Sequence, residues 1–133
     1  MRVNARKENS TMADLDLTIL KVNAPADIKQ ANTLSITVDA QADQDAFDED
    51  AAYSLFVYVN GLKAGPLPGT PLTVTGTLQK APWGALNVTI PVSITAGTAP
   101  DIYTIEASLL VGPTGAVFQA SPVFAGNQVV VHP

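Results

Sequence analysis

The stretch from residue 101 to residue 111, Asp-Ile-Tyr-Thr-Ile-Glu-Ala-Ser-Leu-Leu-Val, constrains the fold of this chain more than any other. Side chains alternate between the two faces of a β-strand, so this order places an apolar face opposite a mostly polar one. The apolar face carries Tyr103, Ile105, Ala107, Leu109 and Val111. The stretch therefore predicts a long central strand. Ile102 and Leu110 are apolar on the other face, and we expect another part of the chain or a partner to cover them.

The beginning of this strand has the local chemistry of a sandwich corner. Asp101 lies two residues before Tyr103 and follows the turn-rich segment 96–100, Ala-Gly-Thr-Ala-Pro. In β-sandwiches, a tyrosine near the start of a strand ties a crossing loop to the sheet through its hydroxyl group. We therefore predict that Tyr103 is a buried residue that holds the preceding loop.

Similar alternations predict the remaining strands. They cover residues 15–22, 33–41, 53–60, 72–78, 86–95, 117–120, 123–124 and 128–132. Turn-forming residues separate them at intervals of about ten residues, and no segment has the apolar spacing of a long helix. Asn60-Gly61 predicts a tight hairpin with positive φ angles. Pro91, inside a regular alternation, predicts a sheet edge or a bulge because proline donates no backbone hydrogen bond.

These patterns predict an all-β fold, an immunoglobulin-like β-sandwich of about seven to nine antiparallel strands in residues 14–133. Residues 1–13 are polar and without periodicity, and they predict an extended N-terminal arm. We expect this arm to lie on a neighbouring subunit, and the alternative is that it pairs with its own sheet. The sequence contains no internal repeat, which disfavours a solenoid or a propeller.

Composition and charge limit the partners of the chain. Hydrophobic residues make up 47% of it and charged residues 14%, so we expect some apolar surface to face a protein partner. The formal charge is −5; residues 1–12 hold three basic residues and one acidic residue, or +2, which leaves −7 for the rest. An acidic body disfavours nucleic-acid binding. No apolar run has the length of a signal peptide or a membrane helix, so we expect neither secretion by such a signal nor membrane insertion.

Catalytic signatures are missing from the sequence. It contains no cysteine, and its single histidine, His132, lies next to the C-terminus, a poor place to hold a general base. Motifs for phosphate binding, zinc hydrolysis and serine hydrolysis are absent as well. We predict a protein that is not an enzyme and needs no cofactor.

The acidic segment 39–50 is the candidate for metal binding. Asp43, Asp45, Asp48 and Asp50 could offer hard oxygen ligands to Ca²⁺. Their spacing is not that of an EF-hand, since Asp48 stands where that loop requires glycine. We favour the simpler interpretation, a solvated loop that keeps an apolar domain soluble, and predict no metal site.

The candidates for partner contacts are the basic residues of the arm, Arg2, Arg6 and Lys7, together with Trp83. Trp83 lies between Pro82 and Gly84 in a turn, where its ring is free to stack on a sugar. A tryptophan in a turn more often serves as an interface anchor, which is the role we predict, or folds back as a plug over the end of the sandwich.

Residues 15–40, 53–61 and 96–111 together resemble bacterial and phage immunoglobulin-like or fibronectin-III-like domains, including CARDB-type modules. The Cys, Trp, Cys arrangement of antibody domains is absent. Such modules act as spacers, adhesins, sugar-binding accessories or capsid decorations, so the resemblance implies a non-catalytic role. We predict a structural virion component, a capsid decoration or cement protein that binds protein partners as an oligomer or within a larger assembly. The alternative is an adhesive or carbohydrate-binding module at a bacterial cell surface.

Overall fold

The computed structural model describes residues 17–112, 119–120 and 124–133. The predicted arm, with Arg2, Arg6 and Lys7, lies outside these residues. The described elements are β1 (Leu17–Asn23), β2 (Asp27–Lys29), β3 (Thr33–Ala42), α1 (Gln44–Asp48), β4 (Ala52–Gly61), β5 (Gly65–Pro66), β6 (Leu72–Thr77), β7 (Asn87–Thr95), β8 (Asp101–Val111), β9 (Gln119–Ala120), β10 (Phe124–Ala125) and β11 (Val129–His132).

These strands form two sheets that share one hydrophobic core. The smaller sheet has the order β1-β3-β7. The larger has the order β2-β11-β8-β4, and β5 and β6 pair with the far side of β4. The short strands β9, β10 and β11 pair in succession along β8. All pairs are antiparallel except that between β2 and β11, and the predicted all-β immunoglobulin-like sandwich is confirmed.

The predicted alternations define the core. In β8, the five side chains expected on the apolar face are at most 2% exposed. Leu34, Ile36 and Val38 of β3 lie in the smaller sheet and are fully buried in the same core. A side chain of this kind contributes about 1.5–3 kcal/mol when it leaves water. Burial of these alternating apolar side chains therefore supplies the main driving force for folding.

Strand β7 is an edge of the smaller sheet, as Pro91 predicted, since it pairs with β3 alone in the described chain. Pro91 lies opposite Thr37. The neighbouring backbone bond, from the Ala42 N–H to the Leu86 carbonyl, assigns even-numbered residues of β7 to the ladder. The nitrogen of Pro91 therefore faces the open edge, where a missing donor costs no ladder bond.

The predicted hairpin turn at Asn60-Gly61 is wrong. Both residues belong to β4, where Gly61 pairs with Gly65 on one side and with Tyr103 on the other. The chain reverses over the next three residues, and Gly65 has the positive φ of 75°. Gly61 is needed for a different reason, because a Cβ atom there would overlap a carboxylate oxygen of Asp101.

The helix in the described part of the chain, α1, has five residues. No helix among the described residues has the length and apolar character needed to cross a membrane.

Candidate interaction surface

Trp83 is buried, contrary to the expectation of an exposed ring. It is 4% exposed, and its ring packs edge-on against Tyr53 with centroids 4.9 Å apart and an interplanar angle of 61°. The backbone N–H of Trp83 donates to the Lys80 carbonyl at 3.0 Å, and Gly84 follows with a φ of 73°, so the chain turns tightly at the residue whose ring points inward. The alternative, a plug at one end of the sandwich, describes this residue. The ring offers almost no surface to a sugar or a protein partner.

The four aspartates proposed for calcium are spread along α1 and beyond both of its ends. Asp43 caps α1 by accepting a hydrogen bond from a backbone N–H at 2.7 Å. Asp45 and Asp48 lie on α1, and Asp50 accepts from the Gln79 N–H at 2.8 Å. Within the described residues, no group of three His, Cys, Asp or Glu side chains could hold a metal ion. The described residues therefore offer no cluster of ligands for the calcium site that the aspartates could have formed.

His132 lies at the end of β11, where its Nε2 atom is 3.5 Å from the Asp27 carboxylate. The two side chains are 47% and 68% exposed. The other ring nitrogen, Nδ1, is 3.0 Å from the carbonyl oxygen of Pro133. This exposed contact joins the parallel strands β2 and β11.

Asp101, the first residue of β8, holds the turn that follows β4. Its side chain accepts hydrogen bonds from the Lys63 N–H at 2.9 Å, the Ala64 N–H at 3.0 Å and its neighbour Ile102 N–H at 2.8 Å. Gly61 leaves the room that the carboxylate occupies. We call this arrangement the Asp101 clamp, and it joins the connection between β4 and β5 to the start of β8.

The clamp also determines the protonation of Asp101. The Lys63 N–H is the largest influence and lowers the pKa of the carboxyl below its ordinary value. Burial opposes this by raising the pKa, and the Ala64 and Ile102 N–H groups together with the Lys63 ammonium lower it further. Donors that favour the ionised form therefore outweigh the cost of removing it from water.

Two residues further along, Tyr103 confirms the predicted sandwich corner. It is 1% exposed, and its hydroxyl oxygen accepts a hydrogen bond from the Gly97 N–H at 2.8 Å. A Cβ atom at Gly97 would be 3.2 Å from that oxygen, so glycine fits the close approach. The start of β8 thus holds two connections, one through Asp101 and one through Tyr103.

The outer face of the larger sheet carries an exposed apolar patch beside the clamp. Leu62 is 78% exposed, Val130 48% and Ile102 37%. Ile102 lies opposite Val130 in the sheet, and its carbonyl accepts from the Leu62 N–H at 2.9 Å, so the three residues are neighbours. We call these three residues the apolar patch.

Shallow depressions lie on both sides of the Leu62 and Ile102 pair. One, of about 340 Å³, is also lined by Asn60, Thr104 and Gln128. The other, of about 240 Å³, is more apolar and includes Val130 and Pro100 in its lining. The surface therefore combines a protruding leucine side chain with shallow depressions beside it, and these depressions could receive an apolar side chain of a partner.

Polar and charged residues surround the apolar patch. Asp27 lies opposite Val130 on the neighbouring strand, and Lys63 follows Leu62 directly. Asn60 and Thr104 pair on the side towards the middle of the sheet. An apolar centre within a polar rim is the usual anatomy of a protein–protein interface.

Sequence patterns identified only part of this surface. Ile102 was expected to need a cover, and the structure leaves it half-exposed beside two further apolar residues. Leu62 and Val130 are distant in sequence and meet only through the register of β4, β8 and β11. The available signal was Leu62 itself, an isolated leucine directly after the strand-ending Asn60-Gly61 pair.

Comparisons with solved structures agree with the fold. The CARDB domain of a Pyrococcus furiosus protein, solved in complex with di-metal ions, is 15% identical and has a TM-score of 0.51; the match covers 88% of each chain. A β-glucosidase from Listeria innocua in complex with gluconolactone is 12% identical with a TM-score of 0.61, and the same enzyme with isofagomine is 14% identical with 0.59. These two matches cover 90% of this chain and 16% of the enzyme.

No family model matches the sequence, and no curated protein matches it. At identities this low, the structural likeness shows the immunoglobulin-like sandwich fold alone. Because this fold serves many unrelated purposes, function has to be argued from the surface of this chain.

Proposed function

We propose that this chain is a non-catalytic protein-interaction module that binds a protein partner through the apolar patch. The observation that carries the proposal is Leu62, a large apolar residue that is 78% exposed in a turn held by the Asp101 clamp. An isolated exposed leucine is ordinary on a protein surface. Leu62 is instead fixed in place next to two further exposed apolar side chains.

The clamp favours binding for an entropic reason. Ordering a flexible loop at an interface costs free energy that reduces affinity. Hydrogen bonds from the Lys63 and Ala64 N–H groups to Asp101 order this turn before any partner arrives. Leu62 can therefore enter a partner pocket at a lower cost than a leucine on an unrestrained loop.

Photo-crosslinking and affinity measurement test this proposal together. A photoreactive phenylalanine analogue replaces Leu62 in cells or particles that contain the protein, and the crosslinked partner is identified and purified. Binding is then measured for the wild type, Leu62→Asp and the control Leu20→Asp by calorimetry. Leu20 is also an exposed leucine, 49% exposed, but it lies on β1 in the other sheet.

We expect Leu62→Asp to weaken binding by about tenfold to a hundredfold, as is common for a central interface residue, and Leu20→Asp to change it by less than about twofold. Equal effects of the two substitutions, or no effect of either, would refute the proposed surface.

As a finer proposal, the module is a structural virion component, a capsid decoration or cement protein whose arm residues Arg2, Arg6 and Lys7 also contact neighbouring subunits. Its support is the basic arm before an acidic, lightly charged body and the resemblance to phage immunoglobulin-like domains. Co-purification with virus particles, lost when residues 1–12 are deleted, tests it.

The alternative proposal is an adhesive or carbohydrate-binding module of a cell surface. The burial of Trp83 removes the main ring that sugar stacking would use, and Tyr58, 38% exposed on β4, is the remaining exposed aromatic residue among those described. Strong glycan-array binding that is lost in Tyr58→Ala would favour this alternative.

A further inference from the structure

The sheet edges of this domain are protected unequally. Exposed edge strands invite pairing with other chains, and proteins usually block them with proline, charge, bulges or very short strands. In β7, Pro91 removes a donor from the open edge. In β1, the ladder shifts register between Ile19 and Lys21, which brings both a bulge and a charge. The edge strands β2 and β5 have three and two residues.

Strand β6 is the exception among the described edges. Its six residues, Leu-Thr-Val-Thr-Gly-Thr, contain no proline and no charge, and its pairing with β4 is regular from end to end. Threonine and valine favour extended backbone, so the strand is well suited to pairing. Among the described residues, β4 is its sole strand partner.

The register shows which backbone groups of β6 face outward. The Leu78 N–H donates to the Ala51 carbonyl at 3.1 Å, so even-numbered residues of this strand bond to β4. The Thr77 carbonyl, in contrast, accepts from the Lys80 N–H, away from β4. The N–H and C=O groups of Thr73 and Thr75 therefore point to the open edge, and both side chains are exposed.

We propose that β6 is a dimerisation edge, at which β6 of a second copy pairs antiparallel and joins the two larger sheets into one. This proposal is independent of the apolar patch and of the function proposed above. A two-fold axis midway between the Val74 residues of the two copies places Thr73 opposite Thr75 of the second copy. The outward N–H and C=O groups of both threonines then all find hydrogen-bond partners.

Self-pairing suits this strand better than pairing with an arbitrary peptide. In the register with its axis at Val74, threonines lie opposite threonines on the exposed face and valine lies opposite valine on the other. Threonine pairs are favourable across strands, and like charges directly opposite would be unfavourable. Because β6 carries no charge, two copies meet without local repulsion although the whole chain carries −5.

Sedimentation equilibrium of the full chain between about 10 µM and about 1 mM tests the proposal, since a small interface of this kind gives weak affinity. We expect a monomer–dimer equilibrium. Thr75→Pro removes one outward N–H from each copy and leaves the bonds to β4 intact, and Thr75→Lys places charge at the same edge. Each is expected to lower the association constant about tenfold or more.

The control is Ser93→Lys, another exposed position on the edge strand β7, which we expect to leave association within about twofold of the wild type. Hydrogen exchange should slow at the Thr73 and Thr75 amides as concentration rises. Leu62→Asp, the test of the proposed function, should leave the dimer unchanged.

Three results would overturn the proposal. The first is a monomer throughout the concentration range, including a monomer whose Thr73 and Thr75 amides are already protected. The second is a dimer that both Thr75 substitutions leave unchanged. The third is a dimer lost in Leu62→Asp but retained in Thr75→Pro, which would assign self-association to the apolar patch instead.

Discussion

Tyr103→Phe tests the sandwich corner at the level of a single atom. The substitution removes the hydroxyl oxygen that accepts the Gly97 N–H at 2.8 Å and leaves the ring in the core. A hydrogen bond contributes about 0.5–1.5 kcal/mol net, and a buried donor left without an acceptor costs about 1–3 kcal/mol. Gly97 is half-buried, so water can partly replace the lost acceptor. We therefore expect the free energy of unfolding to fall by about 1–2 kcal/mol.

Tyr53→Phe is the matched control for this prediction. Tyr53 is also buried, at 2% exposed, but its hydroxyl has no hydrogen-bond partner among the described residues. Removal of that hydroxyl should change stability by less than about 0.5 kcal/mol, or increase it, because an unpaired polar group leaves the core. Urea unfolding of the two variants and the wild type, compared at equal m-values, measures both effects. Equal losses in the two variants, or no loss in Tyr103→Phe, would refute the role of the corner hydrogen bond.

Two further predictions concern the clamp and the plug. Because the pKa of Asp101 is lowered in the folded protein, its stabilising contribution is present above the ordinary carboxyl pKa and is lost as the pH falls through the folded-state pKa. Asp101→Asn should therefore have a lower free energy of unfolding than the wild type at pH 7, and this difference in stability should shrink in acid. If urea titrations show a difference in stability that stays constant with pH, the Asp101 clamp is contradicted. Trp83→Ala should cost about 3–5 kcal/mol of unfolding free energy through the cavity that it leaves. The wild-type fluorescence of this single tryptophan should be blue-shifted and poorly quenched by acrylamide, and a solvent-exposed emission spectrum would contradict its burial.

The sequence was most informative where burial follows a local period. The alternation in residues 101–111 predicted β8 with its boundaries, and the alternations around Leu34 and Leu55 predicted β3 and β4 to within one residue at each end. The position of Tyr103 after a turn predicted its hydrogen bond, because the partner lies only six residues away. Strands β2 and β5 were missed because three and two residues hold too little pattern.

Interpretations that depended on distant contacts were less successful. Gly61 has the local signal of a turn, but its role is set by Asp101, which approaches it from another strand. The residues around Trp83 are typical of an exposed loop, but its ring is buried against Tyr53, which is distant in the sequence. The apolar patch likewise exists only through the register of three strands. The local sequence does not show which distant residues will be in contact.

The measurement that most directly tests the proposed module is the affinity of the crosslinked partner for Leu62→Asp compared with Leu20→Asp. If the apolar patch is the binding surface, the first substitution weakens binding by about tenfold or more and the second leaves it nearly unchanged, while both variants keep wild-type stability. If both bind the partner as tightly as the wild type does, the apolar patch is not the interface.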